Sequence, residues 1–171
     1  MNIFLIGYRG SGKTSVGGSL SHITGWSFVD TDLQIVKELG MNIYDIVEKK
    51  GWDYFRKKET AVLKSLCKHD KQIVATGGGI VLNKENTLNM KNNGKLVWLK
   101  ATFETVKLRI MQDGKTKEYR PPLTSKELDE EIKETILLRK PYYEEAMDFS
   151  IDTDKLDIDG VCKAVMTNLR F

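Results

Sequence analysis

Cysteine, histidine and proline are scarce in this chain of 171 residues, which holds two, two and three of them. Cys67 and Cys162 are far apart and fit no metal-ligand spacing, and a chain of this size needs no covalent staple, so both are expected to be reduced thiols. His22 and His69 have no partner in any motif and read as structural. No collagen-like, disordered or disulfide-dense bias is present, so those classes are excluded. Long apolar runs are missing too. The run from Ile3 to Ile6 is too short for a membrane span or a signal core, and the protein is therefore expected in the cytoplasm, away from membranes. Charge of one sign is also lacking: 27 basic residues against 24 acidic ones leave +3, and dispersed Lys and Arg read as solvated surface rather than a nucleic-acid footprint.

What remains is the composition of an ordinary globular protein, about 40% hydrophobic and 30% charged, at a length suited to one domain spanning residues 1–171. A monomer is the default. Short β-rich runs at residues 3–7, 27–29, 72–75, 95–99 and 149–151 alternate with helical-length segments, which predicts an α/β fold with a mainly parallel sheet. The first run has no polar alternation, as expected of a central strand covered on both faces. A helix should run from the glycine loop to Gly25. Residues 33–69 hold apolar positions at helical spacing, more helix than one crossover needs, and are expected to form a substrate wall. The polar stretch 113–125, with Gly114, Pro121 and Pro122, reads as an exposed mobile loop between helices.

The stretch "GYRGSGKT" places Gly7, Gly12, Lys13 and Thr14 at the GxxxxGK[ST] spacing behind the first strand. A glycine-rich turn between strand and helix aims backbone N–H groups and the positive helix end at one small volume, which suits phosphate. Gly10, Ser11, Gly12, Lys13, Thr14 and Ser15 are the ATP-cradling candidates, with Lys13 on the β and γ phosphates and Thr14 on Mg²⁺. ATPases, GTPases and small-molecule kinases all share this loop, so the acceptor must be sought elsewhere.

Several segments are candidates. In "DTD", Asp30 and Asp32 fall on one side if strand geometry persists, one for hydrated Mg²⁺ and one for a substrate hydroxyl; a helix N-cap at Thr31 or Asp32 is the lesser alternative. In "FRKKE", Arg56 and Glu59 share a helix face, either as a carboxylate-reading pair or as a surface ion pair. Gly77, Gly78 and Gly79 follow the third strand, where a parallel α/β layout opens its crevice, and either bring backbone amides to a substrate or make a tight turn. Arg120 lies in the loop at 113–125 and Arg139 at a helix end before Pro141. Each could be an ordinary surface arginine, whereas a lid arginine closing on the phosphates would neutralise charge in the transition state and exclude water.

Taken in order, "GYRGSGKT", "DTD", "FRKKE", "TGGG", "RPPL" and "RKPYY" resemble shikimate kinase over nearly the whole chain. The resemblance implies a three-layer P-loop kinase fold similar to nucleoside monophosphate kinases, with a five-stranded parallel sheet in the order 2-3-1-4-5, a helical substrate-binding insertion and a mobile lid. It implies transfer of the γ-phosphoryl of ATP to the 3-hydroxyl of shikimate, on the route to chorismate and the aromatic amino acids. Thr14 then resembles the direct Mg²⁺ ligand and Asp30 a carboxylate acting through metal-bound water. Asp32 resembles the residue that binds the substrate hydroxyls and is the candidate base. Arg56, Arg139 and the Gly78 amide would hold the substrate carboxylate, with Glu59 orienting Arg56. Arg120 resembles the lid arginine on the ATP phosphates, Arg109 a residue that stacks on adenine, and "IDTDK" the adenine-side loop ending in Lys155. The lid reads "RPPL" where the family commonly has "RPLL", and the segment from Arg109 to Arg120 is a few residues longer than in compact members. Another small-molecule kinase of this fold, such as a gluconate kinase, and a noncatalytic nucleotide-binding module are the alternatives.

Overall fold

The strand Asn2–Ile6 (β1) is apolar at four of five positions and buried at all five, which places it at the centre of a sheet rather than on an edge. Its neighbours are β3 (Gln72–Ala75) and β4 (Gly94–Lys100), both parallel, with Ile3 opposite Ile73 on one side and Ile6 opposite Trp98 on the other. β2 (Ser27–Asp30) and β5 (Phe149–Asp152) complete the edges, so the five parallel strands run β2-β3-β1-β4-β5, the order the resemblance implies. The computed structural model describes residues 1–113, 122–124 and 126–170. The strand ends lie within two residues of those expected. Gly7, expected inside the first strand, falls just outside it at φ 143°.

Because side chains alternate along a strand, β1 feeds two cores. Ile3 and Leu5 pack with Ile73, Val97 and Leu99 under α1 (Lys13–Thr24) and the C-terminal helix Ile158–Leu169. Phe4 and Ile6 pack on the other face with Val74, Leu96, Trp98 and the helix-borne Leu63, Met90 and Tyr143. α1 stops where expected, at a left-handed Gly25.

The insertion is two helices, α2 (Thr31–Leu39) and α3 (Ile43–Leu66), with a cluster of their own around Ile35, Ile46 and Phe55. α3 is interrupted at Gly51, where φ 81° and ψ 165° break the helix without ending it. α4 (Lys84–Asn93) leads into β4, α5 (Phe103–Gln112) follows it, and α6 (Leu128–Ala146) precedes β5; the C-terminal helix is α7.

Two local expectations are corrected. The cap of α2 is Asp30, whose carboxylate accepts from the Asp32 and Leu33 amides, and not Thr31 or Asp32. The strand thus gives way to helix at once, and Asp32 sits in the first turn rather than two places along a strand. Arg139 is not at a helix end, because α6 continues through Pro141 to Ala146; the proline removes one donor, but buried Arg139, Tyr143 and Ala146 keep the flanking turns packed. No helix among the described residues is long and apolar enough to cross a membrane.

Candidate active site

At the C-terminal end of β1 the chain turns through Gly7, Gly10 and Gly12, all at positive φ, before α1 starts at Lys13. A Cβ at Gly7 would sit 2.6 Å from the Leu99 carbonyl, so the glycine there serves both the turn and the packing against β4. Lys13 is buried, its ammonium donating to the carbonyls of Gly7 at 2.7 Å and Tyr8 at 2.8 Å and lying 3.4 Å from Ser11 Oγ. The loop opens on a cleft of about 740 Å³ whose lining includes Ser11, Thr14, Ser15, Asp30, Asp32 and Arg109.

Thr14 donates its hydroxyl to Asp30 Oδ2 at 2.7 Å, setting two hard oxygen donors side by side at the cleft. No group of three or more acidic, histidine or cysteine side chains able to hold a metal occurs among the described residues. One hydroxyl and one carboxylate suit a cation that keeps several waters and takes its remaining ligands from phosphate, as Mg²⁺ does. Arg109 is fixed by the Gly10 carbonyl at 3.1 Å and by Thr153 through its Oγ1 at 3.1 Å and its carbonyl at 3.0 Å, which joins the phosphate loop to the loop after β5. From that second loop Leu156 and Asp157 line the cleft, with Ile158 at the start of α7. Lys155 is exposed and is not among the lining residues.

A smaller cavity of about 60 Å³ adjoins the cleft and shares Arg9, Asp32, Ile43 and Gly78 with it. Here the Arg56–Glu59 pair proves not to be a surface ion pair: Glu59 is 0% exposed, and Arg56 Nη1 donates to its Oε2 at 2.8 Å. Burial pushes the Glu59 carboxyl up; the Arg56 guanidinium pulls it down, and the Asp32 charge adds to the rise. Trp52 and Phe55 stand against the Arg56 guanidinium, at 5.3 and 5.4 Å from ring centre to Cζ.

The three glycines make the other wall. None needs positive φ; what they supply is room. A Cβ at Gly77 would lie 2.9 Å from Asp32 Oδ1 and closer still to Glu59 Oε1, and one at Gly79 would lie 2.6 Å from Arg56 Cζ. At Gly78 it would approach Arg139 Nη1 to 3.3 Å. The cavity therefore brings Asp32, Arg56, Glu59, Gly77, Gly78, Gly79 and Arg139 together. Arg120 lies outside the described residues, as does most of the expected lid.

Two further residues of the site carry no signal in the sequence. Arg9, at a variable position of the phosphate-loop pattern, lines both cavities and is paired with Glu131 of α6, which is 1% exposed. Glu131 also accepts the Leu123 amide at 2.8 Å and the Thr124 amide at 3.0 Å. In the sequence it sits in an acidic first turn, a pattern that only signals a helix start.

A phosphate loop at the end of a central parallel strand, with a hydroxyl–carboxylate pair and an adjoining cationic cavity, defines a kinase of the P-loop class. The family model described as Shikimate kinase matches residues 9–170. The chain is 39% identical over 163 residues to Shikimate kinase 2 of Salmonella schwarzengrund (strain CVM19633), covering 95% of this chain and 89% of that one. Among solved structures, the shikimate kinase from Acinetobacter baumannii in complex with shikimate superposes with a TM-score of 0.92 at 30% identity, over 99% of this chain and 92% of that one. A gluconokinase from Sinorhizobium meliloti 1021 shares the fold, at TM-score 0.59 and 14% identity, over 99% of this chain and 91% of that one. The chain belongs to the shikimate kinase family.

Proposed function

We propose that the protein transfers the γ-phosphoryl of ATP to the 3-hydroxyl of shikimate, with ATP in the large cleft and shikimate in the adjoining cavity. The carrying observation is that the two cavities meet at Asp32 and Gly78, so a hydroxyl beside Asp32 faces the phosphate loop. Phosphoryl transfer needs mainly positioning and charge stabilisation, and each wall supplies one of these.

On the nucleotide side, the N–H groups of the loop and the Lys13 ammonium offset the charge of the β and γ phosphates, and Arg109 closes the cleft beside the purine. Thr14 and Asp30 would hold Mg²⁺, which when bound neutralises developing phosphate charge. On the acceptor side, Arg56 and Arg139 with the Gly78 amide grip the carboxylate, and Glu59 fixes the Arg56 fork. Asp32 orients the 3-hydroxyl and takes up its proton as the bond to phosphorus forms. Arg120 completes the phosphate contacts in this reading, and Lys155, outside the cleft lining but next to Leu156 in the chain, stands at its purine edge. The two thiols, both free, suit a cytoplasmic protein, and a monomer of one domain is the assembly proposed.

The test is ADP formation measured with shikimate, gluconate and nucleoside monophosphates as acceptors. Turnover with shikimate should exceed the others by orders of magnitude, and comparable turnover with gluconate would overturn the assignment.

A further inference from the structure

The glycine wall is held from behind. Tyr143, one turn after Arg139 on the same face of α6, is 2% exposed and lines neither cavity, yet its hydroxyl donates to the Gly78 carbonyl at 2.5 Å. The other carbonyls of the wall are also taken: Gly77 accepts the Ile80 amide at 3.1 Å and Gly79 the Leu82 amide at 3.1 Å. The amides of Gly78 and Gly79 donate to no group among the described residues. The wall thus has its acceptors satisfied inward and two donors left over.

Peptide planarity gives this arrangement a direction. In a trans peptide the C=O and the following N–H point opposite ways, so fixing the Gly78 carbonyl on Tyr143 turns the Gly79 N–H away from α6. The Gly77 carbonyl, held by the Ile80 amide, likewise turns the Gly78 N–H away from Ile80. Without a Cβ at these positions, little else restrains such peptides.

We propose that Tyr143 is a positioning residue for acceptor binding, its hydroxyl locking the Gly78–Gly79 peptide so that the wall presents its amides, beside Arg139, to the acceptor carboxylate. The inference rests on the carboxylate clamp proposed above. Burial pushes the pKa of the Tyr143 hydroxyl up to about 12, so it remains a protonated donor at neutral pH. Its ring stacks on Trp98 at 5.5 Å, a contact that phenylalanine keeps.

The test is Tyr143→Phe. The KM for shikimate should rise about three- to tenfold, the value of one neutral hydrogen bond, while the KM for ATP and kcat stay within about twofold. An acceptor analogue lacking the carboxylate should bind wild type and variant equally. A core role alone would lower Tm without separating the two substrates. An unchanged KM for shikimate, or equal losses for ATP and both acceptors, overturns the proposal. If wild-type enzyme does not discriminate the analogue, the clamp itself fails. Tyr143 is then judged by the amide ¹⁵N–¹H resonances of the free enzyme: Gly79 should shift more than Gly77 in Tyr143→Phe, and an unmoved Gly79 refutes the positioning role.

Discussion

Gly79→Ala adds one methyl at the point where the wall meets Arg56, and the structure fixes the consequence. The methyl carbon would start 2.6 Å from Arg56 Cζ and 2.7 Å from its Nη1. Non-bonded carbons settle at about 3.5–4.0 Å, so the guanidinium must retreat by about 1 Å. Gly79 has φ −100°, which alanine adopts without strain, and the obstacle is the end of a flexible side chain. The fold should therefore survive, with a Tm within a few degrees of wild type. Acceptor binding should not: a displaced guanidinium loses a charge-assisted hydrogen bond of about 1.5–3 kcal/mol, roughly ten- to a hundredfold in Kd. Titration calorimetry with shikimate and ATP on the folded variant gives the answer. ATP affinity within about threefold of wild type is expected. A shikimate Kd equal to wild type, or a parallel loss of ATP, would refute the placement of Arg56 against the carboxylate.

Lys13→Ala should abolish nearly all transfer, because among the described residues no other lysine lines the cleft; a coupled ADP assay near wild-type rate would remove Lys13 from the phosphates. Asp32→Asn keeps the shape and removes the charge, and kcat should fall by about two to four decades with ATP affinity unchanged. Loss of ATP binding with turnover intact would move Asp32 to the nucleotide side. Glu59→Gln tests the buried carboxyl through pH. Its folded pKa is raised, so between an unfolded value of about 4.3 and the folded one the native state binds more proton, and stability falls as pH rises through that window. The urea midpoint of wild type relative to Glu59→Gln should accordingly decline from pH 4 to 7, and a difference that grows instead would show that the Arg56 charge outweighs burial.

Much of the fold could be read in advance because its signals are local. An unbroken apolar run means a central strand, Gly25 stops a helix, and the GxxxxGK[ST] spacing specifies a loop by its own backbone needs. The smaller cavity, the proposed acceptor site, was legible as a set of residues but not as a structure. Arg56 and Glu59 at i,i+3 look alike on a surface and in a core, and only the packing of α3 against the wall decides between them. The triple glycine looks like a turn until the neighbours that need its space are known. Glu131 and Tyr143 were hidden because their partners are backbone groups and an arginine far away in the chain. Pro141 misled because propensity is local and the packing of α6 is not.

The two oxygens of Asp30 have consequences for how this site tolerates change. Oδ1 caps α2 through the Asp32 and Leu33 amides, while Oδ2 takes the Thr14 hydroxyl. Most substitutions at this position would damage the helix start and the proposed cation site together, and a mutational scan would score the residue simply as intolerant. Asparagine is the exception, since it caps a helix about as well as aspartate but carries no charge. Drift toward asparagine at this single position would leave a well-folded relative with the acceptor cavity intact and the proposed Mg²⁺ ligand neutralised. If Asp30 serves the cation as proposed, that one substitution would separate folding from phosphoryl transfer without passing through an unstable intermediate.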